Sequence, residues 1–181
     1  MISFLKSTNN KKDFPTDKNE VVFVGRSNAG KSTLINSLYK KGLAYTGKTP
    51  GKTRMINFFD NEEYYVVDVP GYGFANRNMD EQILFGEMME DYFSRKQVKL
   101  CVVICDSRIG LTQDDKDMLD FLNDKKIKYI ITANKIDKLS NNQLNNSKTK
   151  FFKEYNNIFY ISAEKRTNLD SVKEYIEKIV K

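Results

Sequence analysis

The sequence predicts an α/β protein: a mostly parallel sheet with helices on both faces and one antiparallel strand at its edge. Two observations carry that expectation. Short apolar or β-rich runs alternate with longer helical patterns along the 181 residues, and strands covered on both faces by crossover helices read as nearly unbroken apolar runs. One pair, Arg54–Phe59 and Tyr64–Val69, breaks the rhythm because only the polar turn Asp60-Asn61-Glu62-Glu63 separates it, so it reads as an antiparallel hairpin.

Taken in order, residues 1–19 read as an irregular lead-in, since Ser7–Asn19 is polar, turn-rich and carries Pro15. A single domain over 20–181 follows. Its strands are expected at Glu20–Val24, at the two hairpin segments, and at Val98–Cys105, Ile127–Thr132 and Asn157–Ile161, six in all. Helices are expected near Lys31–Tyr39, Met79–Arg95, Gln113–Asn123, Asn141–Tyr155 and Leu169–Val180. Thr112 before Gln113-Asp114-Asp115, and Asn168 before Leu169-Asp170, mark two of the helix starts, because a capping oxygen and early acidic residues suit the free amides there.

Composition narrows the function classes. A hydrophobic fraction of 40% and a charged fraction of 30% suit a soluble globular chain. No run approaches the ~18 apolar residues of a membrane span, and Met1-Ile2-Ser3-Phe4-Leu5-Lys6 is too polar for a secretory signal. Cytoplasmic residence, no membrane partner and a monomeric state are the expectations. The absence of His excludes histidine triads and His-ligated metals. Cys101 and Cys105 face one side of a strand and read as core residues. Thirty basic against 24 acidic residues give +6, a modest lean towards polyanions.

The chemistry is concentrated in four segments. Gly25-Arg26-Ser27-Asn28-Ala29-Gly30-Lys31-Ser32 fits G-x-x-x-x-G-K-[ST] between an apolar strand and an amphipathic helix. Such a loop aims backbone N–H groups at phosphate oxygens, Lys31 reaches the β- and γ-phosphates, and the Ser32 hydroxyl can ligate Mg2+. Asp68, 37 residues beyond Lys31, ends an apolar strand where only a cation gives a carboxylate a reason to stand. Mg2+ is the expected cation, and Gly71 of Asp68-Val69-Pro70-Gly71 would offer its N–H to the γ-phosphate. Asn134-Lys135-Ile136-Asp137 closes the next buried strand. The Asp137 carboxylate can accept from N1–H and the 2-amino group of guanine, donors that adenine lacks, while Asn134 can reach the base edge and the Lys135 stem can cover its face. Ile161-Ser162-Ala163, 28 residues past Asn134 at Ser162, supplies small residues that let the backbone approach the guanine O6.

Together with Thr49-Pro50-Gly51-Lys52-Thr53-Arg54 and Asp68-Val69-Pro70-Gly71-Tyr72-Gly73, these segments resemble the TRAFAC-class GTPases, and among them the EngB (YihA/YsxC) family. Asp106-Ser107-Arg108 followed by Thr112-Gln113-Asp114-Asp115 and Met118 adds to the likeness, which runs from about Phe4 to Val180. The one departure noted is Asn134 where that family more often has Thr, and it leaves the common guanine-selective pattern intact.

The resemblance implies a Ras-like P-loop fold, GTP and GDP as ligands with Mg2+, slow GTP hydrolysis, and a switch role in large ribosomal subunit assembly that affects division and septation. Residue by residue, it places nucleotide against Gly25 to Ser32 with Thr33, against Gly51, Lys52, Thr53 and Arg54, against Asp68, Val69, Pro70 and Gly71, and against Asn134, Lys135, Asp137, Ile161, Ser162 and Ala163. Metal ligation falls to Ser32, Thr53 and Asp68, with Thr53 the switch-I threonine. Lys31, Thr53, Gly71 and Asn28 carry catalysis. Tyr72 stands where Ras-like enzymes carry a water-positioning Gln, and Asn28 matches an asparagine that helps to hold K+ in related enzymes. A phosphate-loop kinase and a division-site switch not acting on the ribosome are the alternatives.

Partner surface is the least legible property. Lys40, Lys41, Lys48, Lys52 and Arg54 form a stretch free of acidic residues across the expected switch I, suited to RNA phosphates in the large subunit. The hairpin aromatics Phe58, Phe59, Tyr64 and Tyr65 offer either core packing or a base-stacking platform, with one of each adjacent pair assigned to the core. Lys148, Lys150 and Lys153 read as a solvated helix face.

Overall fold

The structure is a computed structural model that describes residues 2–39, 42–44, 55–73 and 79–181. Among these, the strands are β1 (Ser3–Thr8), β2 (Glu20–Gly25), β3 (Ile56–Asp60), β4 (Tyr65–Asp68), β5 (Val98–Asp106), β6 (Tyr129–Asn134) and β7 (Ile158–Tyr160). The helices are α1 (Lys31–Leu38), α2 (Met79–Phe93), α3 (Gln113–Asp124), α4 (Asn141–Phe151) and α5 (Leu169–Val180), with two short 3-10 turns at Lys11–Asp13 and Ile136–Lys138. None of these helices is long and apolar enough to cross a membrane.

The strands form one sheet in the order β1-β3-β4-β2-β5-β6-β7. β2, β4, β5, β6 and β7 run parallel, and β3 is antiparallel to both of its neighbours. The α/β class is as expected, but the strand count is seven rather than six. The additional strand is β1, so the segment read as an irregular lead-in carries a six-residue strand, and β3 lies one place in from the edge. β1 pairs Ser3 with Asp60 and Thr8 with Ile56 across a bulge between Phe4 and Lys6. The pairing covers backbone groups that β3 would otherwise leave open at the sheet edge. Phe4 meets Phe59 edge-on at 5.9 Å, and Ser7 Oγ donates to Asn57 Oδ1 at 2.5 Å.

Strand alternation feeds two cores. Val21, Phe23, Val66, Leu100 and Val102 pack with Leu34, Ile35, Val172, Ile176 and Val180, which places α1 and α5 on one face. Val22, Val24, Val67, Cys101, Val103 and Cys105 pack with Met89, Tyr92, Phe93, Met118 and Leu122 of α2 and α3 on the other. Cys101 and Cys105 are therefore core residues, and burial raises both thiols above their ordinary pKa. The same two-sided cover corrects the reading of the hairpin aromatics. Phe58, Phe59, Tyr64 and Tyr65 are all buried, Phe58 and Tyr65 in one core and Phe59 and Tyr64 in the other, so none is a stacking platform.

Two helix starts differ in how they are made. Thr112 and Asp115 form a reciprocal capping box at α3. Asn168 precedes α5 in a left-handed conformation and caps nothing; its amide donates to Tyr160 O at 2.8 Å. Ser140 and Gln143 cap α4 in the same reciprocal way as α3.

At the end of β2 away from the phosphate loop, Glu20 is fully buried between α2 and the segment before β2. Its Oε2 accepts from the Tyr92 hydroxyl at 2.5 Å and from Arg95 at 3.2 Å, and Arg95 stands 3.0 Å from Oε1. Arg95 also donates to the Pro15 carbonyl and lies over the rings of Phe14 and Tyr92. Burial raises the Glu20 pKa, against the opposing pull of Arg95 and Tyr92.

Candidate guanine-nucleotide site

The parallel strands β2, β4, β5 and β6 end together, and the loops leaving them meet at one end of the sheet. Gly25 closes β2 against β5, where a Cβ would lie 2.7 Å from the Ile104 carbonyl oxygen. The chain then turns through Asn28 (φ 65°) and Gly30 (φ 102°) into α1, with the Ala29 N–H donating to Arg26 O at 3.2 Å. Gly30 precedes α1 without a side-chain cap, so the first amides of the helix are left to a ligand. Ser32 and Thr33 lie half-buried on that first turn.

Lys31 forms an ion pair with Asp68, and both side chains are largely buried. The cation facing this strand-ending carboxylate in the structure is thus the phosphate-loop lysine. Beyond Asp68 the chain continues alongside the phosphate loop. Val69 N–H donates to Phe23 O, Tyr72 N–H to Gly25 O and Ser27 N–H to Tyr72 O, each at 3.4 Å. Gly71 is held so close that a Cβ would lie 3.2 Å from Gly25 O and 3.4 Å from Ser27 N. Val69 is a core residue and Pro70 is buried, so backbone rather than side chain is what this segment offers. Tyr72 turns inward, only 8% exposed, and its hydroxyl donates to Asp115 Oδ1 at 2.8 Å. It is not aimed at the phosphate loop, which agrees with its lack of a water-positioning group.

The base loop is tied directly to the phosphate loop. Asn134, 3% exposed, donates from Nδ2 to Ala29 O at 3.0 Å and accepts the Ala163 N–H on Oδ1 at 2.9 Å. Its amide is a brace between three loops, a role the sequence did not suggest, and its NH2 group carries a second hydrogen besides the one given to Ala29. A Cβ on Gly30 would lie 2.3 Å from that amide nitrogen, so the glycine is required by close approach as well as by its φ. Lys135 reaches across in the same sense, donating to Asn28 O at 2.6 Å and Asp106 Oδ2 at 2.9 Å. Burial opposes the charge on Asp106, but hydrogen bonds from Arg108 and Lys135 outweigh it and hold its pKa at about 2. Asp106 is a supporting residue whose sequence motif gave a family likeness but no role. Its signal is its place at the end of β5, in register with Asn134.

Asp137 stands on the short turn Ile136–Lys138 that follows Lys135. Ser162 Oγ donates to its Oδ1 at 2.6 Å, which is the main reason its pKa lies below the ordinary carboxylate value. Its Oδ2 is buried with no hydrogen bond, with the Lys138 ammonium 3.2 Å away. A buried acceptor oxygen of this kind fits the adjacent N–H donors of guanine. Ser162 therefore orients Asp137, while Ile161 is a core residue. For the metal, one strand-end carboxylate plus the Ser32 hydroxyl is a hard-oxygen set of the sort Mg2+ takes beside phosphates. Gly51, Lys52, Thr53 and Arg54 lie outside the described residues, as do Lys40, Lys41 and Lys48.

Comparison with known proteins agrees with this geometry. Residues 20–135 match the family described as 50S ribosome-binding GTPase. The chain is 42% identical over 183 aligned residues to the probable GTP-binding protein EngB of Mycoplasmopsis synoviae, covering 97% of this chain and 98% of that one. It is also 42% identical to the probable GTP-binding protein EngB of Fusobacterium nucleatum, covering 97% and 94%. A crystal structure of a probable GTP-binding protein EngB superposes with a TM-score of 0.69 at 28% identity over 89% of this chain and 98% of that one. Because these likenesses run through the phosphate loop and the base loop alike, the chain belongs to the EngB family of GTP-binding proteins and is a GTPase.

Proposed function

We propose that this GTPase is a cytoplasmic, nucleotide-dependent switch in large ribosomal subunit assembly, with normal division and septation depending on it. The observation that carries the switch is the bracing of phosphate and base loops by Asn134 and Lys135 beside the buried Asp137 Oδ2, whose one ionic neighbour among the described residues is the Lys138 ammonium, which makes one guanine-nucleotide cleft. The ribosomal target is supported by the name of the matching family and by the +6 charge of the chain. Residues 20–181 act as one G domain to which β1 adds an edge strand, and the chain works as a monomer without a membrane partner.

In this reading Ser32, Asp68 and Thr53 hold Mg2+, which supplies charge neutralisation on the β- and γ-phosphates when bound. Lys31 exchanges Asp68 for those phosphates, and Gly71 offers its N–H to the γ-phosphate. With Tyr72 turned inward, no side chain among the described residues positions the attacking water as a Gln would, and intrinsic hydrolysis is slow. Asn28 would help to hold K+ at the phosphate loop. Hydrolysis should accordingly run faster in KCl than in NaCl at equal ionic strength, as phosphate release measures; equal rates leave Asn28 a loop-shaping residue.

The ribosomal reading is tested by sedimenting the protein with purified ribosomal subunits through a gradient, with GDP or a non-hydrolysable GTP analogue, at two salt concentrations. Association with the large subunit only in the analogue, weakening as salt rises, is the expected result. No association in either state makes the target something other than the ribosome, with the division site the next candidate.

A further inference from the structure

The inward turn of Tyr72 has a partner that none of the nucleotide motifs contains. Its hydroxyl donates to Asp115 Oδ1 at 2.8 Å, and Asp115 is itself 2% exposed at the start of α3. The other carboxylate oxygen is fixed from two sides, by Thr112 N–H at 2.9 Å and Thr112 Oγ1 at 2.8 Å. One carboxylate therefore closes the cap of α3 with one oxygen and grips the tyrosine beside Gly71 with the other. The phosphate loop reaches the same helix start separately: Arg26 Nε lies 3.5 Å from Asp114 Oδ2, over Gly73.

The backbone explains why this grip matters. Tyr72 exchanges hydrogen bonds with Gly25 and Ser27 of the phosphate loop, each at 3.4 Å, which is long for an N–H to carbonyl bond. Those two bonds are weak, whereas the side chain of Tyr72 is anchored in a buried, charge-assisted bond to a helix. We propose that Asp115 is a positioning residue for the γ-phosphate: acting through the Tyr72 hydroxyl, it holds the Gly71 backbone against the phosphate loop. The proposal rests on the reading of Gly71 given above. It gives α3 a direct stake in nucleotide state, since displacement of Gly71 must be passed to the helix start or break the bond.

The test is the ratio of affinities for a fluorescent non-hydrolysable GTP analogue and for GDP, in wild type, Tyr72→Phe, Asp115→Asn and Thr112→Ala. Tyr72→Phe removes only the hydroxyl and leaves the α3 cap untouched. It should lower analogue affinity about tenfold, in line with one hydrogen bond to a charged group, and leave GDP affinity within about twofold. Asp115→Asn should lower the ratio in the same direction, and the double variant should lose no more than the larger single one. Thr112→Ala weakens the cap and should lower thermal stability without changing the ratio. Equal losses for both nucleotides in Tyr72→Phe, or a Thr112→Ala variant that lowers the ratio as far, would overturn the proposal and leave the contact a structural one. Gly71→Ala separates the two readings. If it lowers the ratio and Tyr72→Phe does not, the grip is wrong and the Gly71 reading stands; if neither does, both fall.

Discussion

Asp137→Asn moves the base preference of this GTPase from guanine to xanthine. In the structure Ser162 holds Oδ1 and leaves the buried Oδ2 without a hydrogen bond. An asparagine keeping the Ser162 contact would turn its NH2 group into that position, facing the 2-amino group of guanine with another donor. Xanthine has a carbonyl there and accepts instead. A site built to hydrogen-bond one partner rejects the mismatched one by about 10⁴-fold, so loss of GTP affinity on that order, with XTP gaining, is expected in competition against labelled GDP. An unchanged preference would reject the assignment of Asp137. The pH dependence has a definite sign. Because the Ser162 bond lowers the Asp137 pKa, the carboxylate stays charged throughout neutral and mildly acidic solution. Guanine selectivity should therefore be flat there and fail only as pH falls through a value below 3.8.

The second large effect is on stability and lies at the opposite end of β2. Arg95→Ala leaves Glu20 buried without its cation and removes the stacking over Phe14 and Tyr92. Breaking a buried pair by removing one partner costs about 3–5 kcal/mol, which urea unfolding at pH 7 should register. Burial already raises the Glu20 pKa, and loss of Arg95 raises it further. A carboxyl whose folded pKa lies above its unfolded value favours the folded state below the unfolded value and loses that contribution as pH rises through the folded one. The gap between variant and wild type should therefore be widest at neutral pH and narrow towards pH 4.5, where a protonated Glu20 no longer needs a counter-ion. A gap independent of pH would assign the loss to packing alone.

What could be read from the sequence divides along physical lines. The place of the phosphate loop between β2 and α1, and of Asp68 at the end of β4, was legible because such chemistry demands fixed residue types at fixed spacing between strands and helices. The bracing role of Asn134 was not legible: whether an amide also reaches the carbonyl of Ala29 depends on how closely two loops approach. Asp106, Ser162 and Asp115 were singled out in the sequence, but the neighbour each one holds was not legible, since only the fold supplies it. β1 was missed because a six-residue strand with four exposed positions carries little apolar signal, and its pairing is dictated by the open edge of a hairpin some 50 residues later. The burial of Tyr64 and Tyr65 together reflects cover on both faces of the sheet, which alternation within one strand cannot reveal.

The strand order also describes how the chain can be assembled as it is made. The four strands that lie within residues 3–68 are neighbours at one side of the sheet, in the order β1-β3-β4-β2, and β5, β6 and β7 follow outward from β2 in the order of their synthesis. None of β5, β6 and β7 has to be inserted between two earlier strands. At about 5–20 residues per second on the ribosome, a half-sheet containing the phosphate loop can close before β5 exists, and each later strand meets an edge already waiting for it. The base loop, borne on β6, then arrives after the phosphate loop it is braced against, so selectivity for guanine is the last property of the cleft to be completed.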